Sequence, residues 1–136
     1  MHDANRPLTP MELRVRTRLE RLIESKLTGT EIVRDGFGHT VLKFRKKSIV
    51  MMGAGWDQKG IHLALKADRF TQDHLIQQGV FTRTPYIGQH GWVSLSDEKA
   101  IAKQWKIVER LLLDAYTQLL PKKKEPKARA GRLPKD

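Results

Sequence analysis

The sequence contains no cysteine, and this absence removes several kinds of chemistry at once. Disulfide bonds, thiol nucleophiles and thiolate metal ligands are all excluded. Histidine is the remaining soft ligand, but no two of the five histidines are closer in sequence than twelve residues. Zinc motifs need much shorter spacings on a helix or hairpin. We therefore expect neither a metal site nor a bound cofactor.

Long apolar runs are also absent. No stretch approaches the roughly 20 residues that a membrane-spanning helix requires. The polar start, MHDANRP, lacks the apolar core of a signal peptide. We expect a cytoplasmic protein that makes no membrane contact.

Recognisable catalytic motifs are missing too. There is no Gly-x-Ser-x-Gly segment. The Gly-Ala-Gly segment at residues 53–55 lacks the third glycine and the Lys-Ser/Thr pair of phosphate-binding loops, so it predicts a bend or bulge. Asp35, Asp57 and Asp68 lie at predicted turns or at a helix start, where aspartate forms local hydrogen bonds. We expect no catalytic residue and a protein that is not an enzyme.

Positive charge is what the sequence has in excess. It contains 26 Lys and Arg against 15 Asp and Glu, a formal net charge of +11. Residues 121–136, PKKKEPKARAGRLPKD, have seven basic and two acidic residues and no aromatic one, so we expect a disordered tail. The rest of the chain then carries 19 − 13 = +6. Such a charge favours anionic partners, and nucleic acid is the first expectation.

The first half of the chain predicts one helix followed by a strand meander. Thr9, Pro10 and Glu12 form a capping box with proline at the first helical position, and the apolar spacing continues to about residues 28–29. From residue 31 to 66 the apolar period changes to two. This pattern predicts antiparallel strands at residues 31–34, 39–45, 48–53 and 61–66.

The second half predicts a short helix at residues 68–78, strands at 80–83 and 92–95, and one long helix at 97–120. The fold class is therefore α+β. We expect two layers, with an antiparallel sheet of about five or six strands backed on one face by the N- and C-terminal helices. The predicted organisation is a flexible stub at residues 1–8, one domain at 9–120 and the basic tail at 121–136.

Three basic sets are candidates for phosphate contacts. The alternative for each set is an ordinary solvated surface opposite a core. The candidate residues are Arg45, Lys46 and Lys47 at a hairpin tip, with Lys43 and Lys66 on the open sheet face; Lys99, Lys103, Lys106 and Arg110 along the last helix; and Lys122, Lys123 and Lys124 in the tail.

A turn-rich segment between the last two predicted strands resembles a known family. It reads TPYIGQHGWV, and the matching positions are Thr84, Pro85, Tyr86, Gly88, Gly91, Trp92 and Val93. A TPYxGxxGWV segment is similar to that of the MmcQ/YjbR proteins, small bacterial domains, and the resemblance covers about residues 9–120. It implies a CyaY-like arrangement, described as a double wing, and DNA binding by analogy with that fold.

Two alternatives to nucleic-acid binding stay open. In the first, the loop at residues 85–92 walls a pocket for a small anionic ligand, with Arg83, Tyr86 and His90 on its rim. In the second, the basic surface docks on an acidic protein. Trp56 and Trp92 also have two interpretations, as stacking platforms for bases or as core residues.

Overall fold

The chain folds into a helical layer packed on one six-stranded antiparallel sheet, in a computed structural model that describes residues 5–55 and 57–121. The strands are β1 (Glu31–Arg34), β2 (Thr40–Phe44), β3 (Lys47–Gly53), β4 (His62–Leu65), β5 (Thr82–Arg83) and β6 (Val93–Leu95). The helices are α1 (Pro10–Lys26), α2 (Arg69–Gln77), α3 (Glu98–Lys103) and α4 (Trp105–Leu119). The predicted two-layer α+β class is confirmed.

The sheet order is β1-β2-β3-β4-β6-β5, so the four-strand meander is extended by a second pair in reversed order. Strand β6 pairs with β4 through Ala64 and Ser94, and β5 forms the far edge. The chain between β4 and β5 contains α2, and the chain between β5 and β6 contains the TPY loop, which we define as residues 84–92. This order places the TPY loop at one end of β5 and β6.

Alternation along the strands divides the sheet into a core face and an open face. Leu42, Val50, Leu63 and Leu65 belong to the hydrophobic core that the helices cover. The residues between them point the other way, because successive side chains of a strand alternate. Cross-strand partners on this open face are Val41, Met51 and Ala64, followed by Ser94 and Thr82.

The start of α1 forms as the sequence predicts. Thr9 Oγ1 accepts from the backbone N–H of Glu12 at 3.1 Å, and Glu12 Oε1 accepts from the backbone N–H of Thr9 at 2.9 Å. This reciprocal capping box satisfies two backbone donors that the first helical turn leaves free. Arg6, within the segment expected to be flexible, is held by Glu12 and by the carbonyl of Gly38. The packed part of the chain therefore begins before Thr9.

The single long C-terminal helix is a wrong prediction. The structure has α3 and α4 separated at Gln104, whose φ of −96° and ψ of 16° leave the helical region. The chain there has neither proline nor glycine to indicate a break. Ile101 on α3 and Val108 on α4 are both buried in the core, so packing accommodates the interruption without losing apolar contacts.

The hairpin turn also differs from its predicted position. The strand boundaries place Arg45 and Lys46 in the turn, and Lys47 begins β3.

No helix within the described residues is both long and apolar enough to cross a bilayer.

Candidate nucleic-acid interface and ligand cavity

The hairpin between β2 and β3 presents three exposed cations, Arg45, Lys46 and Lys47. Phe44 pairs with Lys47 across the hairpin, so the loop has two residues. Arg45 has a φ of 53° and Lys46 a φ of 69°, the positive values that a type I′ turn needs and that Asn-Gly sequences usually supply. Within the part of the chain that the structure describes, none of the three forms an ion pair. Their charges are available to a partner.

The two lysines expected on the open face have different surroundings. Lys43 lies on β2 opposite Ser48 and Glu31 and is half-buried, on the face that alternation predicts. Lys66 follows the last residue of β4. It borders a cavity of about 240 Å³ together with His90, Asp114 and other residues of α4. Lys43 therefore shares the open face, whereas Lys66 lies beside the helical layer.

The four cations predicted along one last helix are all exposed, but they lie on two helices. The interruption at Gln104 leaves Lys99 and Lys103 on α3 and Lys106 and Arg110 on α4. The prediction of a single basic stripe is corrected accordingly. Trp56 and the tail lysines Lys122, Lys123 and Lys124 lie outside the described residues.

The glycines of the TPY loop have a local steric cause. Gly91 has a φ of 99°, and a Cβ built there would lie 2.0 Å from the carbonyl oxygen of Ala67. A Cβ at Gly88 would lie 2.4 Å from Cγ of Arg83. Trp92 is buried, which confirms its interpretation as a core residue. These residues shape the loop.

A buried glutamine that sequence reasoning missed holds the TPY loop against α2. Gln72 Nε2 donates to the carbonyl oxygens of Gly88 at 2.7 Å and of Trp92 at 2.9 Å. Buried donors that are satisfied in this way stabilise one conformation. The only sequence signal was a polar residue within the buried face of a short helix.

The predicted grouping of Arg83, Tyr86 and His90 around one pocket is not found. Tyr86 borders a cavity on the open face, His90 borders the cavity beside α4, and Arg83 borders neither. The arrangement follows from backbone geometry, because Arg83 pairs with the core-facing Val93 and Tyr86 adopts a left-handed φ of 66°. No shared anion site is formed by these three residues.

The cavity on the open face, which we call the open-face cavity, has a volume of about 320 Å³. This value is within the range of small-ligand sites. Its floor includes Met51 and Ala64 of the sheet, and Pro85, Tyr86 and Ile87 of the TPY loop border it. The lining is mainly apolar, with polar groups contributed by Arg6, His39, Gln58, His62 and Thr84.

His62 anchors a chain of hydrogen bonds beside the open-face cavity. Its Nε2 lies 2.9 Å from Ser94 Oγ, and its Nδ1 lies 3.2 Å from Ser96 Oγ. Ser94 Oγ also lies 2.8 Å from Thr84 Oγ1. Burial lowers the pKa of His62 below its ordinary value, and the nearby His39 lowers it further. The lowered pKa favours the neutral imidazole near neutral pH, in which one ring nitrogen donates and the other accepts.

His39 forms the other imidazole of the wall. Its Nδ1 donates to Asp35 Oδ2 at 3.0 Å, and Asp35 Oδ1 accepts from the backbone N–H groups of Phe37 and His39. Desolvation raises the pKa of Asp35, but these hydrogen bonds more than offset it and leave the pKa below its ordinary value. His39 and His62 are 23 positions apart in sequence. The pairing of Thr40 with Met52 sets His39 beside Gly53, and the pairing of Gly53 with His62 completes the wall.

The Ser94–His62 contact has the distance of a catalytic dyad but not its exposure. Ser94 is 1% exposed and does not border the open-face cavity, and its hydroxyl is already bonded to Thr84. A nucleophile has to reach its substrate, so this contact serves to orient the imidazole.

Within residues 5–55 and 57–121, no three His, Asp or Glu side chains are grouped to hold a metal ion.

Arg6 is the one Lys or Arg among the described residues that border the open-face cavity, and an ion pair neutralises it. Arg6 Nη1 and Nη2 each lie 2.8 Å from an oxygen of Glu12, a side chain with 0% exposure. This pairing raises the pKa of Arg6, although burial opposes it in part. The second guanidinium nitrogen also donates to Gly38. Among the described residues, the cavity therefore has polar groups but no Lys or Arg charge left uncompensated to attract an anion.

Comparison of the chain with protein-family models, with curated proteins and with solved structures finds no match. The MmcQ/YjbR resemblance carried by the TPY loop therefore stays a prediction.

Proposed function

We propose that this protein is a non-enzymatic nucleic-acid-binding protein that holds phosphates with its basic hairpin tip. The observation that carries the proposal is the hairpin tip at residues 45–47, with its turn at Arg45 and Lys46. Its three cations are exposed, unpaired within the described residues, and displayed on a turn with two positive φ angles in non-glycine residues. Such conformations cost about 1–2 kcal/mol per residue, and strained residues cluster at functional sites.

The charge distribution supports the same proposal. Lys43 lies on the open face, α3 and α4 each carry two exposed cations, and residues 121–136 of the sequence include seven basic residues. Cations that contact phosphates release condensed counterions, so binding should weaken linearly with the logarithm of salt concentration. Phosphate contacts alone carry no sequence information, so we infer low sequence preference.

The test is a salt series of duplex DNA binding by the full chain and by Lys46→Glu/Lys47→Glu. The matched control is Arg21→Glu/Lys26→Glu, which makes the same change in net charge at exposed positions of α1. We expect the hairpin variant to lose at least tenfold in affinity and about two units of salt slope, since two phosphate contacts are removed. The control should lose much less. Equal losses in the two variants would contradict a role for the hairpin.

The tail is tested by deleting residues 122–136. If it adds phosphate contacts, the deletion lowers affinity and salt slope in addition to the effect of the hairpin variant. A synthetic acidic polypeptide of the same charge as the DNA distinguishes the acidic-protein alternative. Preference for that polypeptide over DNA would overturn the proposal in favour of a protein partner.

A further inference from the structure

The open-face cavity and the hairpin tip lie on one continuous track. Strand β3 runs from Lys47 at the tip to Gly53 at the cavity, six residue steps that span about 20 Å. Lys43 lies between them on the open face, and Met51 forms part of the cavity floor. A chain bound along this face would therefore meet cations at one end and an apolar cavity at the other.

Tyr86 stands at the cavity end of this track without a structural reason for its aromatic ring. Its side chain is 94% exposed, so it contributes nothing to the core. Its φ of 66° is a conformation that glycine would adopt without strain. Strained residues cluster at ligand sites, and this exposed ring borders a cavity.

The lining of the cavity suits a flat, uncharged ring with a polar edge. Met51, Ala64 and Ile87 offer apolar contact, whereas His39 and the Thr84 hydroxyl lie on the same lining. Arg6 is neutralised by Glu12, so the cavity does not favour a phosphate or carboxylate. Enclosure between apolar or aromatic side chains, with hydrogen bonds to a polar edge, is how proteins hold an unstacked nucleobase.

We propose that the open-face cavity binds one unstacked base of a single-stranded nucleic acid against Tyr86, while the hairpin tip binds phosphates of the same strand. This inference rests on the proposed nucleic-acid binding and assigns its substrate class as single strands. The cations supply electrostatic attraction that any strand or duplex shares. The cavity adds a contact that only an unpaired base can make.

The experiment measures affinity for three probes of equal phosphate number: a single-stranded deoxyoligonucleotide, an abasic strand of the same length, and a duplex. The variant is Tyr86→Gly, which removes the ring and suits the positive φ, so it should fold. The matched control is Phe70→Ala, another exposed aromatic, 83% exposed on α2 and away from the cavity. Lys46→Glu/Lys47→Glu reports the phosphate contacts separately.

We expect the natural chain to prefer the single strand to the abasic strand by about tenfold, the effect of one base–aromatic stack. Tyr86→Gly should remove this preference, but it should leave the affinities for the abasic strand and the duplex, and the salt slope, unchanged. Phe70→Ala should change neither the preference, nor the affinities, nor the salt slope. Equal affinity for the base-containing and abasic strands would overturn the cavity assignment alone. Absence of salt-dependent binding to every probe would overturn the proposed function itself.

A second measurement locates the base. Saturation with the single strand should shift the NMR signals of the Met51 methyl group and the His62 ring, and the abasic strand should leave both in place. Shifts confined to the hairpin tip with either strand would contradict a seated base, even if affinity differs.

Discussion

The imidazole of His39 occupies the space that a side chain at residue 53 would need. A Cβ built on Gly53 would lie 2.9 Å from His39 Cδ2 and 3.4 Å from its Nε2. The glycine on β3 therefore allows the ring to lie against the strand and form one wall of the open-face cavity. Residue 53 thus has a steric role in the cavity rather than the phosphate-loop role that a Gly-Ala-Gly segment can suggest.

Gly53→Ala should displace His39 and change the cavity wall. We expect a loss of about 1 kcal/mol in the free energy of unfolding, because the ring can move only partly. The ring signals of both His39 and His62 should shift in NMR spectra. Gly36→Ala is the control, since a Cβ there meets nothing within 4 Å. Unchanged His39 signals in Gly53→Ala would contradict the packing described.

Replacing Arg45-Lys46 by Asn-Gly should stabilise the protein and weaken nucleic-acid binding together. Asn-Gly suits two positive φ angles, so the free energy of unfolding should rise by about 1–2 kcal/mol. The same change removes two cations and should lower the salt slope of DNA binding by about two. Lys47→Gln is the control, because it removes a charge outside the two turn positions. Urea unfolding that shows no gain for Asn-Gly would argue against strain in the turn.

Gly91→Ala should be far more damaging than Gly79→Ala, although both glycines have positive φ. At Gly91 the added Cβ would lie 2.0 Å from the backbone oxygen of Ala67, whereas at Gly79 it meets nothing within 4 Å. We expect a loss of about 3 kcal/mol or more at Gly91 and about 1 kcal/mol at Gly79, the backbone cost alone. Equal losses in urea unfolding would show that the Ala67 contact is relieved at little cost.

The neutral state of His62 predicts a loss of stability in mild acid. Its pKa is lowered in the folded chain, mainly by burial, so the unfolded chain binds a proton first as the pH falls below 6.5. The free energy of unfolding should therefore be highest above that pH and decrease between the ordinary pKa and the folded one. His62→Asn should reduce this dependence. An NMR titration of the His62 ring with a midpoint above 6.5 would contradict the predicted direction.

Local sequence signals were sufficient where the structure depends on neighbours along the chain. The capping box of Thr9 and Glu12 closes within one helical turn, and the alternation of Leu63, Ala64 and Leu65 identifies the core and open faces of β4. The strand number and the two-layer architecture follow from these periods. The positive charge of the hairpin was also predictable from the sequence, although its turn lies one residue earlier than the predicted strand boundaries placed it.

Three features were decided by tertiary structure. The interruption at Gln104 lacks proline or glycine, and the joining of His39 to His62 depends on sheet register that no local pattern specifies. The separation of Arg83, Tyr86 and His90 depends on a left-handed φ at a tyrosine, which its side chain does not favour. The sequence by itself determined the absence of thiol chemistry, the excess of positive charge and the fold class, because composition and period express them directly. Tertiary structure alone decided the open-face cavity, because its walls come from strands and a loop that meet only when the sheet has formed.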